Sequence, residues 1–264
     1  MNTGDRAARE AGALVTVDEL VARLRPGLIP VPRGGGAVCP RCRSTKGEDF
    51  AVCYPCSRGA AELGGFSVNV IPIAMALAYG QLHDHLKNYK RAYADCVRYR
   101  SATILGGLLV TYLKSHHSCV GEWDIVCSVP SIKHPMDHPL ALLLDRVHGL
   151  REHHLRVLAP GVEPGSHVYS RSRFTVHDRS RIEGQRVLLI DDTFTTGASI
   201  QSAAAALMDA GAASVVALVI GRYIDPSKWA PAKDLLDLLD GQPWDGSCPV
   251  CAPADAGEPD LFTF

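Results

Sequence analysis

The sequence predicts an α/β fold in which a parallel sheet carries helices on both faces, preceded by a small N-terminal zinc finger. Three observations carry that expectation. The run Val187-Leu188-Leu189-Ile190 is apolar without alternation, which suits a strand buried on both faces of a parallel sheet. An alanine-rich helical segment, Ala198 to Ala210, comes next, stops at Gly211 and leads to a second buried run, Ser214 to Ile220, so strand, helix and strand make a right-handed crossover. Far upstream, Cys39-Pro40-Arg41-Cys42 and Cys53-Tyr54-Pro55-Cys56 flank ten mostly polar residues. Two Cys-x-x-Cys knuckles that close together supply four thiolates to one tetrahedral Zn2+.

Composition bounds what else the chain can be. With 264 residues, 47% hydrophobic and 21% charged, it has material for one α/β core with appendages. No stretch approaches the ~18 uninterrupted apolar residues of a membrane-spanning helix, and Met1 to Glu10 is polar and lacks a signal-peptide core. A cytoplasmic protein without a membrane partner is expected. A net charge of -1 gives no global drive toward nucleic acid. Locally, Arg171 to Arg186 carries an excess of three positive charges, and Asp225 to Phe264 an excess of six negative ones. Nine cysteines, six of them in three Cys-x-x-Cys pairs and with no secretion signal, point to metal rather than disulfides.

The chain divides into four parts. Residues 1–37 form an extension with one helix, Val17 to Arg25, stopped by Pro26-Gly27, and a linker from Pro30 to Gly36. Residues 38–62 form the zinc finger and 63–224 the α/β domain, with an acidic tail over 225–264. Within the domain, Val68 to Ala78 suits a strand or a buried helix, and Gln81 to Lys90 a basic helix. Ser101 to Lys114 reads as a helix with Ile104, Leu105, Leu108, Leu109 and Leu113 on one face. His83, His85, His116 and His117 are expected to be solvent-exposed or capping residues, since thiolates already serve the zinc. Trp123 to Ser131 is a strand breaking into small residues, and Leu140 to Leu150 is helical. Ala159 to Arg181 reads as a long loop that closes as a lid. The tail holds a short amphipathic helix, Ala232 to Leu239, and then Cys248-Pro249-Val250-Cys251. That last pair either completes a zinc site with Cys39/Cys42 or Cys53/Cys56, or joins other ligands in a second site.

The functional expectation centres on the residues just after Ile190. Ligands of open parallel sheets bind outside the carboxyl ends of strands, and a helix N-terminus attracts anions. The loop Thr193, Phe194, Thr195, Thr196, Gly197, Ala198 and Ser199 is therefore expected to hold a phosphate. Carboxylates beside a phosphate need other partners. Asp191 and Asp192 are placed to accept hydrogen bonds from ribose hydroxyls, with Mg2+ offsetting the remaining charge. A Walker B strand would look similar, but the chain has no Gly-x-x-x-x-Gly-Lys-Ser/Thr. A response-regulator receiver opens on such a strand, whereas here it comes late. Two Asp residues that merely cap a turn would not need Thr-x-Thr-Thr-Gly. At the end of the other strand, Ser128, Val129, Pro130 and Ser131 form a second anion cradle facing the same crevice, within reach of Lys133 and His134.

Val187 to Ser199 resembles the thirteen-residue phosphoribosyl diphosphate signature of type I phosphoribosyltransferases: four apolar residues, two acidic ones, then Thr-Phe-Thr-Thr-Gly-Ala-Ser. With the four-cysteine knuckle, Leu86-Lys87-Asn88-Tyr89 and the strand ending in Val129-Pro130, residues 38 to 224 resemble the ComF family, which joins a zinc finger to a phosphoribosyltransferase-like domain. The resemblance implies that Cys39, Cys42, Cys53 and Cys56 bind zinc. It implies further that Ser128 to Ser131, Lys133 and Lys87 face the diphosphate, that Asp191 to Ser199 hold the ribose 5-phosphate, and that Asp191 and Asp192 stabilise a developing sugar cation. Arg173-Phe174 falls in the family's basic stretch. The family's Arg-Gly-Phe-Asn-Gln run after Val-Pro is replaced here by Lys133-His134-Pro135-Met136-Asp137-His138. Two functional classes are compatible with the resemblance: a transferase passing phosphoribose to a nitrogen nucleophile, or a non-catalytic accessory protein that handles single-stranded DNA in natural competence and uses the site for ligand sensing. Whether the chain forms a homo-oligomer is left open.

Overall fold

The computed structural model describes residues 16–131, 138–161 and 167–250. Its centre is a sheet of four parallel strands in the order β1 (Val70–Leu77), β6 (Ser214–Ile224), β5 (Arg186–Phe194), β2 (Ile125–Ser128). Pro72 donates no amide hydrogen and is tolerated because β1 is an edge strand. The expected crossover joins neighbouring strands: β5 feeds α7 (Ala198–Asp209), which returns to β6.

Period-two alternation sorts the side chains of β5 into two layers. Leu188 and Ile190 face α1 (Val17–Leu24), α3 (Gln81–Arg91), α4 (Asp95–Val120) and α5 (Pro139–Leu144), packing with Leu24, Leu86, Leu105, Leu109 and Leu140. Val187 and Leu189 face the other way, toward α7 and the four-cysteine unit with its helix α2 (Tyr54–Glu62). Ala203, Ala204 and Ala205 of α7 are fully buried; the small side chains of Ala203 and Ala204 let the helix lie close on the sheet, while Ala205 packs with Leu63 and Tyr169. Helices on both faces of a parallel sheet are thus present as expected. A short helix α6 (His148–Arg151) comes after α5, and α8 (Pro231–Leu239) closes the β1 edge against Val31, Met75 and Ile224.

Several elements differ from the sequence expectation, each for a physical reason. The undecided segment at Val68 is the strand β1. The helix expected over Ser101 to Lys114 runs from Asp95 to Val120, because its apolar stripe marks only the part that is buried. The helix expected over Leu140 to Leu150 divides into α5 and α6. Both central strands outrun their apolar cores: β5 continues through Asp191 and Asp192, pairing Asp191 with Val219 and Thr193 with Gly221, and β6 continues to Ile224. The expected loop from Ala159 begins and ends as a strand pair, β3 (Leu158–Pro160) against β4 (Phe174–Val176), antiparallel, with residues 162–166 outside the described residues. Among the described residues, no helix is long and apolar enough to cross a membrane.

Candidate functional site

Beyond Phe194 the chain turns through Thr195 and Thr196 to Gly197, which enters α7 from the left-handed region at φ 98°. Only glycine holds that angle cheaply, and a Cβ there would lie 2.5 Å from the Phe194 ring. The first amides of α7 face a cavity of about 150 Å³ lined by Asp191, Thr193, Thr195, Thr196 and Ser199, with His167 and Arg173 on its far wall. Unsatisfied amides at a helix start attract anions, and the wall adds a cation. Arg173 is 4% exposed and donates to Ser199 Oγ at 3.3 Å and to the carbonyl of Val168 at 3.1 Å. From the other side Arg222 of β6 stacks 4.7 Å from the Phe194 ring and donates to the carbonyls of Phe194 at 3.2 Å and Thr195 at 3.0 Å. Sequence reasoning did not single out Arg222. Its one signal was a cation at the carboxyl end of the neighbouring strand.

The strand continues through the acidic pair, so the two carboxylates point to opposite faces of the sheet. Asp191 lines the cavity of about 150 Å³. Its carboxyl is pushed up to about 7 by burial and by the charge of Asp192, against the pull of Lys90 and Arg173. Asp192 turns toward α3, where the Lys90 ammonium and the Tyr89 hydroxyl both reach the same carboxylate oxygen. Burial works against its ionisation, but Lys90 and Tyr89, with a contribution from His138, hold it below the usual carboxylate range. Burial and the Asp192 charge in turn push the Tyr89 phenol well up, so it stays a donor. Asp192 thus reaches α3 rather than the cavity occupied by the rest of the predicted ribose-phosphate set. Lys87 of the same helix is exposed, and the cation that reaches the acidic pair is Lys90.

The second predicted cradle is braced rather than open at its first residue. Ser128 Oγ lies 3.2 Å from His154 Nε2, and His154 Nδ1 lies 2.7 Å from Asp145 Oδ1, with Arg156 on the other oxygen. Ser128 is 8% exposed, so this chain fixes the end of β2 against the segment after α6. Burial lowers the affinity of His154 for a proton, with Asp145 opposing. Val129 is buried and its amide donates to the Ile190 carbonyl at 3.0 Å, while Pro130 and Ser131 are half-buried. Lys133 and His134 lie outside the described residues.

Cys39, Cys42, Cys53 and Cys56 come together, all buried, with their sulfurs within 4.8 Å of one another. Four converging thiols suit a tetrahedral Zn2+. The Cys53 amide donates to Cys39 Sγ at 3.4 Å, a contact of the kind that supports a ligating thiolate. The unit is tied to the phosphate loop by a residue that sequence reasoning did not nominate. Tyr169 directs its hydroxyl at the carbonyls of Pro55, 3.0 Å away, and Thr196, 2.7 Å away. Its ring lies so close to Gly59 of α2 that a Cβ there would approach it to 2.4 Å. Cys248 of the tail does not join this cluster. Cys248 sits instead beside Cys119 and His116, and Cys251 lies outside the described residues. His116, expected to be solvent-exposed or capping, is 5% exposed and sits in this group.

A second cavity, of about 380 Å³, shares Tyr89 and Lys90 with the acidic pair. Asp95, Arg98, Tyr99, Leu142 and Arg146 add to its lining, and the Arg146 guanidinium lies 5.4 Å from the Tyr99 ring centroid. Its walls therefore carry more positive than negative charge and one aromatic face.

The chain is 27% identical to the orotate phosphoribosyltransferase of Mycobacterium leprae over 173 residues, 64% of this chain and 84% of that enzyme. It is a distant relative of a phosphoribosyltransferase. No family model and no solved structure matches it, so the ComF resemblance rests on its cysteine knuckle, Leu86 to Tyr89, Val129-Pro130 and the Val187 to Ser199 signature.

Proposed function

We propose that the protein binds phosphoribosyl diphosphate with Mg2+ and transfers phosphoribose to a nitrogen nucleophile. The observation that carries this reading is the end of β5, where a raised carboxylate, a hydroxyl-rich turn and the amides of α7 converge on one small cavity. In this reading the 5-phosphate takes the α7 amides and the hydroxyls of Thr195, Thr196 and Ser199, with Arg173 balancing its charge. Asp191 accepts hydrogen bonds from the ribose hydroxyls, and its negative charge favours the cationic, oxocarbenium-like sugar that transfer passes through. Mg2+ would supply charge neutralisation for the departing diphosphate, and Asp191 is the carboxylate that would hold it. His167 and Arg173, which precede and enter β4, wall the cavity and help shield the sugar from water. Lys90 links Asp192 to the larger cavity, whose cations and Tyr99 face suit a flat, anionic acceptor. A structural Zn2+ on Cys39, Cys42, Cys53 and Cys56 holds α2 and, through Tyr169, the phosphate turn.

Diphosphate release in the presence of Mg2+ tests the reading, with phosphoribosyl diphosphate offered alongside a panel of nitrogen nucleophiles that includes orotate. Release with one acceptor, abolished by Asp191→Asn, is the expected result. Binding without release for every acceptor would make the protein a sensor rather than a transferase.

A further inference from the structure

One group of metal-ligating side chains lies apart from the four-cysteine unit. His116, Cys119 and Cys248 place one imidazole nitrogen and two sulfurs within 4.8 Å of one another. His116 and Cys119 are three residues apart on α4 and so share a face. Cys248 arrives from the acidic tail, 129 residues away in sequence, and its Sγ lies 3.2 Å from that of Cys119. We propose that these three residues hold a second Zn2+, which fastens the C-terminal tail to α4.

The donor set and its surroundings both suit that ion. Thiolates with imidazole select zinc over the hard divalent cations, and Cys248 is wholly buried. Donors surround its sulfur: the Tyr112 hydroxyl at 2.9 Å and the Val250 amide at 3.3 Å. The amide contact repeats the one from Cys53 to Cys39 in the first cluster. His116 Nε2 meets the carbonyl of Gly246, the kind of outer contact that orients a ligating imidazole. The helix departs from helical angles at His116 itself, with φ -133° and ψ 27°, so α4 bends where the ligand is presented. The tail is already anchored nearby, since Trp244 donates its indole hydrogen to the carbonyl of Ile73 at 3.0 Å. Three protein ligands leave the fourth tetrahedral position to water or to a further side chain.

Metal analysis of the full chain, purified with zinc present, tests the assignment. Two zinc ions per chain are expected, falling to one in Cys119→Ser/Cys248→Ser. One zinc in the wild type together with a Cys119–Cys248 disulfide, or two retained in the double variant, would overturn it. Cobalt titration of the zinc-stripped wild type reads the same stoichiometry without any substitution. Thiolate-to-cobalt absorption is expected to saturate at two equivalents, and saturation at one overturns the second site.

Discussion

Replacing Lys90 with methionine tests how the two carboxylates of β5 are held in different states. The Lys90 ammonium and the Tyr89 hydroxyl both reach the Asp192 carboxylate, and Asp192 is 3% exposed. Methionine keeps much of the lysine volume and its helix propensity, so the substitution removes charge with little change to α3. Removing one partner of a buried ion pair costs about 3–5 kcal/mol, because the remaining charge is left alone. Lys90 is 28% exposed and Tyr89 stays in place, so the lower end, about 3 kcal/mol, is expected. Its pH dependence identifies the cause. In the wild type the folded pKa of Asp192 lies below the unfolded value, so its contribution is present above ~pH 4 and is lost as pH falls through the depressed value. In the variant only Tyr89 and His138 still oppose burial, which raises that pKa, so stability falls as pH rises from ~4 through the raised value. The deficit of the variant is therefore full near pH 8 and shrinks toward pH 5. Urea unfolding of the zinc-loaded chain at both pH values measures it. A deficit equal at the two, or below about 0.5 kcal/mol at pH 8, would refute the argument.

Two other substitutions separate the loop from its supports. Gly197→Ala forces a Cβ into the left-handed region and against the Phe194 ring, costing about 1–3 kcal/mol in thermal unfolding and weakening phosphoribosyl diphosphate binding at least about tenfold. Unchanged affinity would mean the turn does not hold the phosphate. Tyr169→Phe keeps the ring against Gly59 but removes the hydroxyl directed at Pro55 and Thr196, a loss of about 1 kcal/mol that lowers the melting temperature by roughly 2–4 °C. Affinity for the ligand should fall with it; a stability loss without an affinity loss would confine Tyr169 to packing. Ligand binding by the wild type should also strengthen from pH 6 to pH 8, because Asp191 must lose its proton, by about tenfold for one pH unit below its pKa.

What was legible in the sequence was local. The cysteine knuckle is recognisable from spacing alone, and so is the turn at Thr195-Thr196-Gly197 between a buried strand and an alanine-rich helix. The division of labour between Asp191 and Asp192 was not, because the end of an apolar run marks where burial stops and not where the strand stops. Pairing with Val219 and Gly221 of β6 carries the alternation onward and turns the two carboxylates apart. Lys90 rather than Lys87 reaches Asp192 because Leu82, Leu86 and Tyr89 set the buried face of α3, a phase fixed only by packing. Tyr169, Arg222 and the grouping of His116 with Cys248 depend on contacts between distant parts of the chain. Periodicity and spacing carry no trace of them.

The central claim is that the end of β5 is a site for phosphoribosyl diphosphate. Isothermal titration of that ligand with Mg2+ into the zinc-loaded chain tests it most directly, with Asp191→Asn run beside the wild type. Saturable binding at one site per chain, abolished by Asp191→Asn, is the predicted result. No binding by the wild type, or equal binding by the two proteins, would contradict it.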